Sequence, residues 1–161
     1  MQKGIATLEV ILAALIIALL MKVAVPNATR LIDRAALDYE TKRLYSELRF
    51  LQAVNRSAKF DPAGTGGFYV TKDEFLSIKF TTEPPSYQVV RGLDLNVTGK
   101  PVREVHYLSY GVKLSSPKDS VNFDSQGKAS ITSNHITLTS RLNQTKKISF
   151  DSVGRMQGVD Q

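Results

Sequence analysis

The stretch that most limits what this chain can fold into runs from Ile5 to Val25, where the only charges are Glu9 and Lys22. Val10 to Met21 carries none at all. That length matches the ~20 apolar residues needed to cross ~30 Å of hydrocarbon, so a membrane-spanning helix is expected. Lys3 marks one end of it, and Lys22 with Arg30 the other. A secretory signal peptide also has a basic start and an apolar core. Its core is shorter and ends at a small-residue cleavage site, whereas this run passes into a long helical pattern and offers Ala24-Val25-Pro26 at best.

Glu9 separates an ordinary anchor from something more specific. An ionised carboxylate at membrane depth costs a few kcal/mol and is by default a functional residue with a partner to be named. If the chain is cut after Gly4, the new amino group on Ile5 lies four residues away, on the same chain or on a neighbouring copy. Glu9 would neutralise it. The plainer alternative is a side chain near a helix end that snorkels to the headgroups. Spacing leaves both readings open.

Further along, Pro26 removes a helical hydrogen bond and disfavours helical geometry at Val25, which predicts a kink or a locally melted segment around residues 22–26. Helical periodicity then resumes over 27–60. Leu37, Leu44, Leu48 and Leu51 form one apolar stripe, widened by Tyr45 and Val54. The other face mixes Arg30, Arg34, Lys42, Arg43, Arg49, Arg56 and Lys59 with Asp33, Asp38, Glu40 and Glu47, the pattern of a solvated surface with weak i to i+4 pairs. Asp61 to Gly67, rich in Pro and Gly, ends the helix. From there the period shortens to that of strands. Candidates are 68–71, 75–80, 87–90, 93–97, 104–110, 121–123, 129–132, 135–140, 146–150 and 155–158, joined by short turn-rich links that favour antiparallel hairpins. The expected class is α+β: a long N-terminal helix, apolar in its first half, packed on a C-terminal antiparallel sheet. Its segments are 1–4, 5–26, 27–60 and a β-rich domain over 61–161. The stripe of Leu44, Leu48 and Leu51 should meet Ile136, Leu138, Ile148 and Phe150.

Composition narrows the chemistry. The 161 residues include no cysteine, which excludes disulfide bracing, thiol catalysis and thiolate metal sites. Net charge is +6; residues 1–26 contribute only Lys3, Lys22 and Glu9, so +5 lies beyond Pro26. Such a balance permits contact with phosphates or acidic lipid without requiring it. His106 and His135 have no Ser or Asp spacing that forms a triad or a metal set, so both read as structural. Gly64-Thr65-Gly66-Gly67 lacks the Lys and Ser/Thr of a phosphate loop, and the pairs Asp119/Asp124 and Asp151/Asp160 lack a calcium-loop pattern. No catalytic role, cofactor, metal or small-molecule substrate is expected.

Gly4-Ile5, Glu9 at the fifth position after that junction, the apolar helix and Pro26 at the twenty-second together resemble the type IV pilins and type II secretion pseudopilins. The resemblance implies that a prepilin peptidase cleaves after Gly4 and methylates Ile5, and that Glu9 guides assembly with other subunits into a filament. Ile5 stands where phenylalanine is commonest. The C-terminal third, with Phe123-Asp124-Ser125-Gln126-Gly127, Ile136-Thr137-Leu138, Ile148-Ser149-Phe150 and Gly154-Arg155, is similar to the GspH/FimT type of minor pseudopilin and minor pilin, as are Arg30-Leu31-Ile32 and Leu48-Arg49. Residues 60–120 match no pattern of the family. The resemblance implies a subunit of a type II secretion or type IV pilus machine, held in the cytoplasmic membrane with its C-terminal domain on the outer side. Some FimT-type minor pilins bind DNA through a Gly-Arg-x-Arg stretch; here Gly154-Arg155-Met156-Gln157 keeps only the first arginine. A basic patch of Arg141, Lys146, Lys147 and Arg155 would contact DNA phosphates without sequence preference. Alternatively these are edge-strand charges that discourage unwanted pairing. A single-pass membrane sensor is the non-pilin alternative.

Overall fold

The computed structural model describes residues 2–57, 75–92 and 100–160. Its first element, α1 (Gln2–Ser57), is one helix about 80 Å long at ~1.5 Å per residue. Of the kink or melted segment expected at residues 22–26, the melting is not found: the helix is continuous through Pro26. Proline deprives only the Lys22 carbonyl of its partner, and Lys22 lies on an exposed face. A turn later, Thr29 Oγ1 donates to the Pro26 carbonyl at 2.9 Å.

The strands form two antiparallel sheets where one was expected. In the first, β1 (Leu76–Thr82) is flanked by β2 (Pro85–Arg91) and β6 (Ser120–Asn122), and the outer edge of β2 pairs with both β3 (Lys100–Pro101) and β4 (His106–Tyr107). In the second the order is β5 (Lys113–Ser115), β7 (His135–Thr139), β8 (Thr145–Phe150) and β9 (Met156–Asp160). Alternation set the registers: Leu76, Ile78 and Phe80 are buried in β1, Ile136 and Leu138 in β7, Ile148 and Phe150 in β8.

α1 packs on β1, β7 and β8, so a single stripe closes both sheets. Leu44, Leu48 and Leu51 are fully buried and share one core with Ile78, Val121, Phe123, Ile136, Leu138, Ile148 and Phe150; Tyr45 and Val54 lie at its margin, as their helical spacing predicts. The N-terminal half of α1 has no such cover. From Leu8 to Val25 its large apolar side chains are about half to two-thirds exposed.

Several strand expectations are corrected. Residues 129–132 form no strand, only a bridge from Ala129 to Phe123, and 104–110 shrinks to β4. The short β3 and β5 were not anticipated; in β5 only Leu114 is buried between exposed Lys113 and Ser115, too brief a pattern to stand out. The candidate strands at 68–71 and 93–97, the stop at Asp61 to Gly67 with its glycine run, and Lys59 lie outside the described residues.

The two halves of α1 should respond differently to truncation. Leu48→Ala removes a fully buried side chain and is expected to cost about 2–5 kcal/mol, whereas Leu15→Ala, half exposed, should change domain stability by about 0.5 kcal/mol or less. Denaturation of the full chain in detergent micelles measures both; equal losses would contradict this division.

Candidate functional site

Gly4 and Ile5 lie in the first turns of α1, and Glu9 is an exposed side chain one turn further on. Around Glu9 the helix surface is apolar and unpartnered: Leu8, Val10, Ile11 and Leu12 are 55–68% exposed. The carboxylate thus stands at the N-terminal end of a wholly apolar cylinder. The chain also meets the length and composition needed to cross a membrane.

Of the charged face of α1, Arg30, Arg34, Lys42, Arg43, Arg49 and Arg56 are exposed as expected, whereas the four acids are clamps on the β-domain. Glu40 is fully buried, with Oε2 2.8 Å from His106 Nε2 and Oε1 accepting from the Ser109 N–H at 3.1 Å and from the Ser109 hydroxyl. Burial pushes its carboxyl up, but the bonds from Ser109 and His106 outweigh that and hold it below the ordinary value. Asp33 is buried as well and accepts from the Leu142 N–H at 3.3 Å. Asp38 pairs with Lys146 at 2.7 Å, and Glu47 binds Arg103 through both oxygens at 2.7 Å while that guanidinium lies 4.5 Å from the centre of the Phe50 ring. Higher up, fully buried Asn55 donates to the Leu76 and Phe123 carbonyls and accepts from the Leu76 N–H. The signal for Asp33 and Glu40 was present: they sit four before and three after Leu37, on the apolar stripe itself.

The four cations considered for DNA are dispersed. β7, β8 and β9 are neighbours, yet side chains alternate along β8, so half-buried Lys146 points with Ile148 and Phe150 toward α1 and exposed Lys147 points away. β8 is interior to its sheet, so neither lysine guards an edge. Arg141 lies in the turn before β8 and Arg155 in the turn after it, separated by about 20 Å of strand. Arg155 folds back on Asp151, its N–H donating at 2.7 Å and its Nε at 2.9 Å. The Arg155 N–H has the largest effect on the Asp151 carboxyl; burial acts the other way, and the guanidinium and the Val153 N–H add to the N–H to hold the group below the usual carboxylate range.

The Gly154-Arg155 pair has a structural basis. Gly154 adopts φ +76°, and a Cβ there would meet the Ala129 carbonyl oxygen at 2.6 Å and its nitrogen at 2.8 Å. The same approach lets the Ala129 N–H donate to the Gly154 carbonyl at 2.7 Å. Asp124 similarly builds its own turn, its Oδ1 accepting from the Gln126 and Lys128 N–H groups. No group of three or more metal-ligating side chains occurs among the described residues.

No protein-family model, curated protein or solved structure matches the chain. Its architecture, one long apolar N-terminal helix packed on antiparallel sheet, is consistent with a pilin-like build.

The Glu40 clamp makes stability depend on acid. The folded-state pKa is lowered, so the contribution is present above the unfolded value near 4.5 and is lost as pH falls through the folded value. Glu40→Gln should cost about 1–3 kcal/mol at neutral pH by leaving His106 and Ser109 imperfectly paired. It should also flatten the acid limb of stability, measured by denaturation between about pH 7 and about pH 3. Parallel pH curves for the two proteins would remove Glu40 as the cause.

Proposed function

We propose that this chain is a minor pseudopilin or minor pilin, a subunit of a type II secretion or type IV pilus machine. A prepilin peptidase removes the leader after Gly4 and methylates Ile5. The apolar half of α1 holds the protein in the cytoplasmic membrane, with the β-domain on the outer side, until Glu9 draws it into a short filament or its tip beside other pilin-like subunits.

The observation that supports this most is the division of α1. Leu8 to Val25 exposes a continuous apolar surface far beyond the few hundred Å² that soluble monomers present, while the same helix supplies the core of the β-domain. A membrane and then a bundle of like helices would cover such a surface in turn. A carboxylate at its start is costly in either setting unless it finds a cation, and the amine freed at Ile5 is the nearest one. A sensor anchored by one helix would explain the apolar surface but not the Gly4-Ile5 junction with Glu9. The dispersal of Arg141, Lys146, Lys147 and Arg155 gives a DNA-receptor role no comparable support.

Replacing Gly4 with leucine should leave a protein longer by the leader and absent from filaments, as read by mass spectrometry of the N-terminus and by filament purification. Normal processing of that variant would sink the pilin reading in favour of the sensor. Glu9→Leu should permit cleavage and insertion yet reduce incorporation beside wild-type subunits by an order of magnitude or more, about 1.4 kcal/mol per tenfold. Loss of secreted enzymes in a deletion strain would assign the protein to secretion; loss of twitching would assign it to a pilus.

A further inference from the structure

The end of the β-domain nearest the apolar half of α1 is built from two turns. Leu142 donates its N–H to Asp33, and Tyr110, Gly111 and Arg141 enclose a cavity of about 290 Å³ with Thr29, Ile32 and Asp33. Thr29 and Asp33 follow Val25 by four and eight residues, about 6 and 12 Å along the helix axis. A headgroup layer is ~5–7 Å deep on each side of the hydrocarbon. A bilayer whose apolar core ends near Val25 therefore brings its headgroups to the level of these turns.

What the rim presents fits that depth. Tyr110 is 69% exposed and held at φ 54°, a left-handed conformation uncommon for a bulky residue, so neither packing nor backbone preference explains a tyrosine there. Leu142 is 44% exposed beside it. Arg30, Arg34, Lys113 and Arg141 are all exposed. Across residues 27–37, 105–118 and 135–150 the only carboxylate is Asp33, which is buried and capped by Leu142. One turn beyond Arg34, Asp38 is engaged by Lys146 at 2.7 Å, so the rim keeps a surplus of positive charge on its surface.

We propose that this rim docks on the membrane surface, with Arg30, Arg34 and Arg141 holding anionic phospholipid headgroups and Tyr110 and Leu142 seated at the polar–apolar boundary. The inference rests on the membrane-spanning reading of α1. Tyrosine is enriched at that boundary, and cationic side chains close to an anionic bilayer are drawn to it. Guanidinium matches phosphate geometry as a fork of donors. A second copy meeting the same rim through a two-fold axis would set like charges face to face, which disfavours that occupant. Interfacial anchors set helix tilt and rotation, so the rim would orient the protein before assembly. The opposite end of the domain, at Gly127, is tied to Gln52 about 30 Å further along α1 and would face away from the lipid.

The chain has no cysteine, so one introduced thiol carries a unique fluorophore. The full chain would be reconstituted in vesicles of phosphatidylcholine, alone or mixed equally with phosphatidylglycerol, containing spin-labelled lipids that quench at the headgroup or in the acyl region. Ala14→Cys reports the apolar run, Leu142→Cys the rim and Gln126→Cys the far end. The expected result is acyl-region quenching at Ala14→Cys, headgroup quenching at Leu142→Cys and almost none at Gln126→Cys. Rim quenching should fall several-fold without phosphatidylglycerol, at high salt, and in an Arg34→Gln, Arg141→Gln background. Quenching at Ala14→Cys without any at Leu142→Cys overturns the docking and leaves the membrane reading standing. Absence of quenching at Ala14→Cys overturns both. Rim quenching indifferent to lipid charge, salt and the arginines overturns the headgroup assignment, and disulfide linkage between unlabelled Leu142→Cys copies under a mild added oxidant, with no quenching of the labelled protein, gives the rim to a second copy.

Discussion

Burial of one stripe of α1 against two sheets is the interaction on which the rest of the molecule depends. Leu44, Leu48 and Leu51 are the residues through which β1, β7 and β8 share a core. The two sheets are short-stranded, and a few isolated strands in water are marginal without a helix against them. The helix benefits in the same way, since most helical stability in proteins comes from packing an amphipathic face. Because α1 is continuous from Gln2, whatever positions its C-terminal half also fixes the direction in which the apolar N-terminal half leaves the domain.

An apolar stripe alone would let a helix slide or turn on a sheet at modest cost. Polar clamps at successive levels remove that freedom. Asp33 takes the Leu142 N–H, Asp38 takes Lys146, Glu40 takes His106 and Ser109, Glu47 takes Arg103 and Asn55 takes the start of β1. The exposed pairs contribute little in themselves. The buried ones act mainly by what their loss would cost, because an unpaired carboxylate or amide at Glu40 or Asn55 has no water to turn to. Register between helix and sheet is specified more strongly than apolar packing could achieve.

That register decides what lies near the end of the apolar run. It sets the turns carrying Tyr110 and Arg141 beside Thr29 and Asp33, close to where the apolar run stops, and sends Gly127 and Arg155 to other parts of the domain. The cations beyond Pro26 are consequently scattered: Lys146 and Arg103 are tied to α1, Arg155 is folded on Asp151, Lys147 points away from the helix, and Arg30, Arg34 and Arg141 lie exposed near the end of the apolar run.

The sequence by itself determined the long apolar helix, the carboxylate at its start, the stripe of leucines and most of the strands, because each is a local pattern in hydrophobic period. Leu76, Ile78 and Phe80 alternate, and Leu37, Leu44, Leu48 and Leu51 recur at helical spacing, whatever they later touch. Period is silent where elements are too short to repeat, which is why β3 and β5 were not legible, and it misjudged 129–132, where the chain pairs at a single bridge. Of the two outcomes expected at Pro26, local melting did not occur, since one missing bond on an exposed face is a small loss for so long a helix. Only the tertiary structure decided that Glu40 and Asp33 are buried clamps, that Lys146 and Lys147 face opposite ways, and that Arg141 and Tyr110 meet α1 just beyond its apolar run. Those outcomes depend on partners distant in sequence, and a charged side chain reads as solvated until the group that pairs with it has been brought alongside.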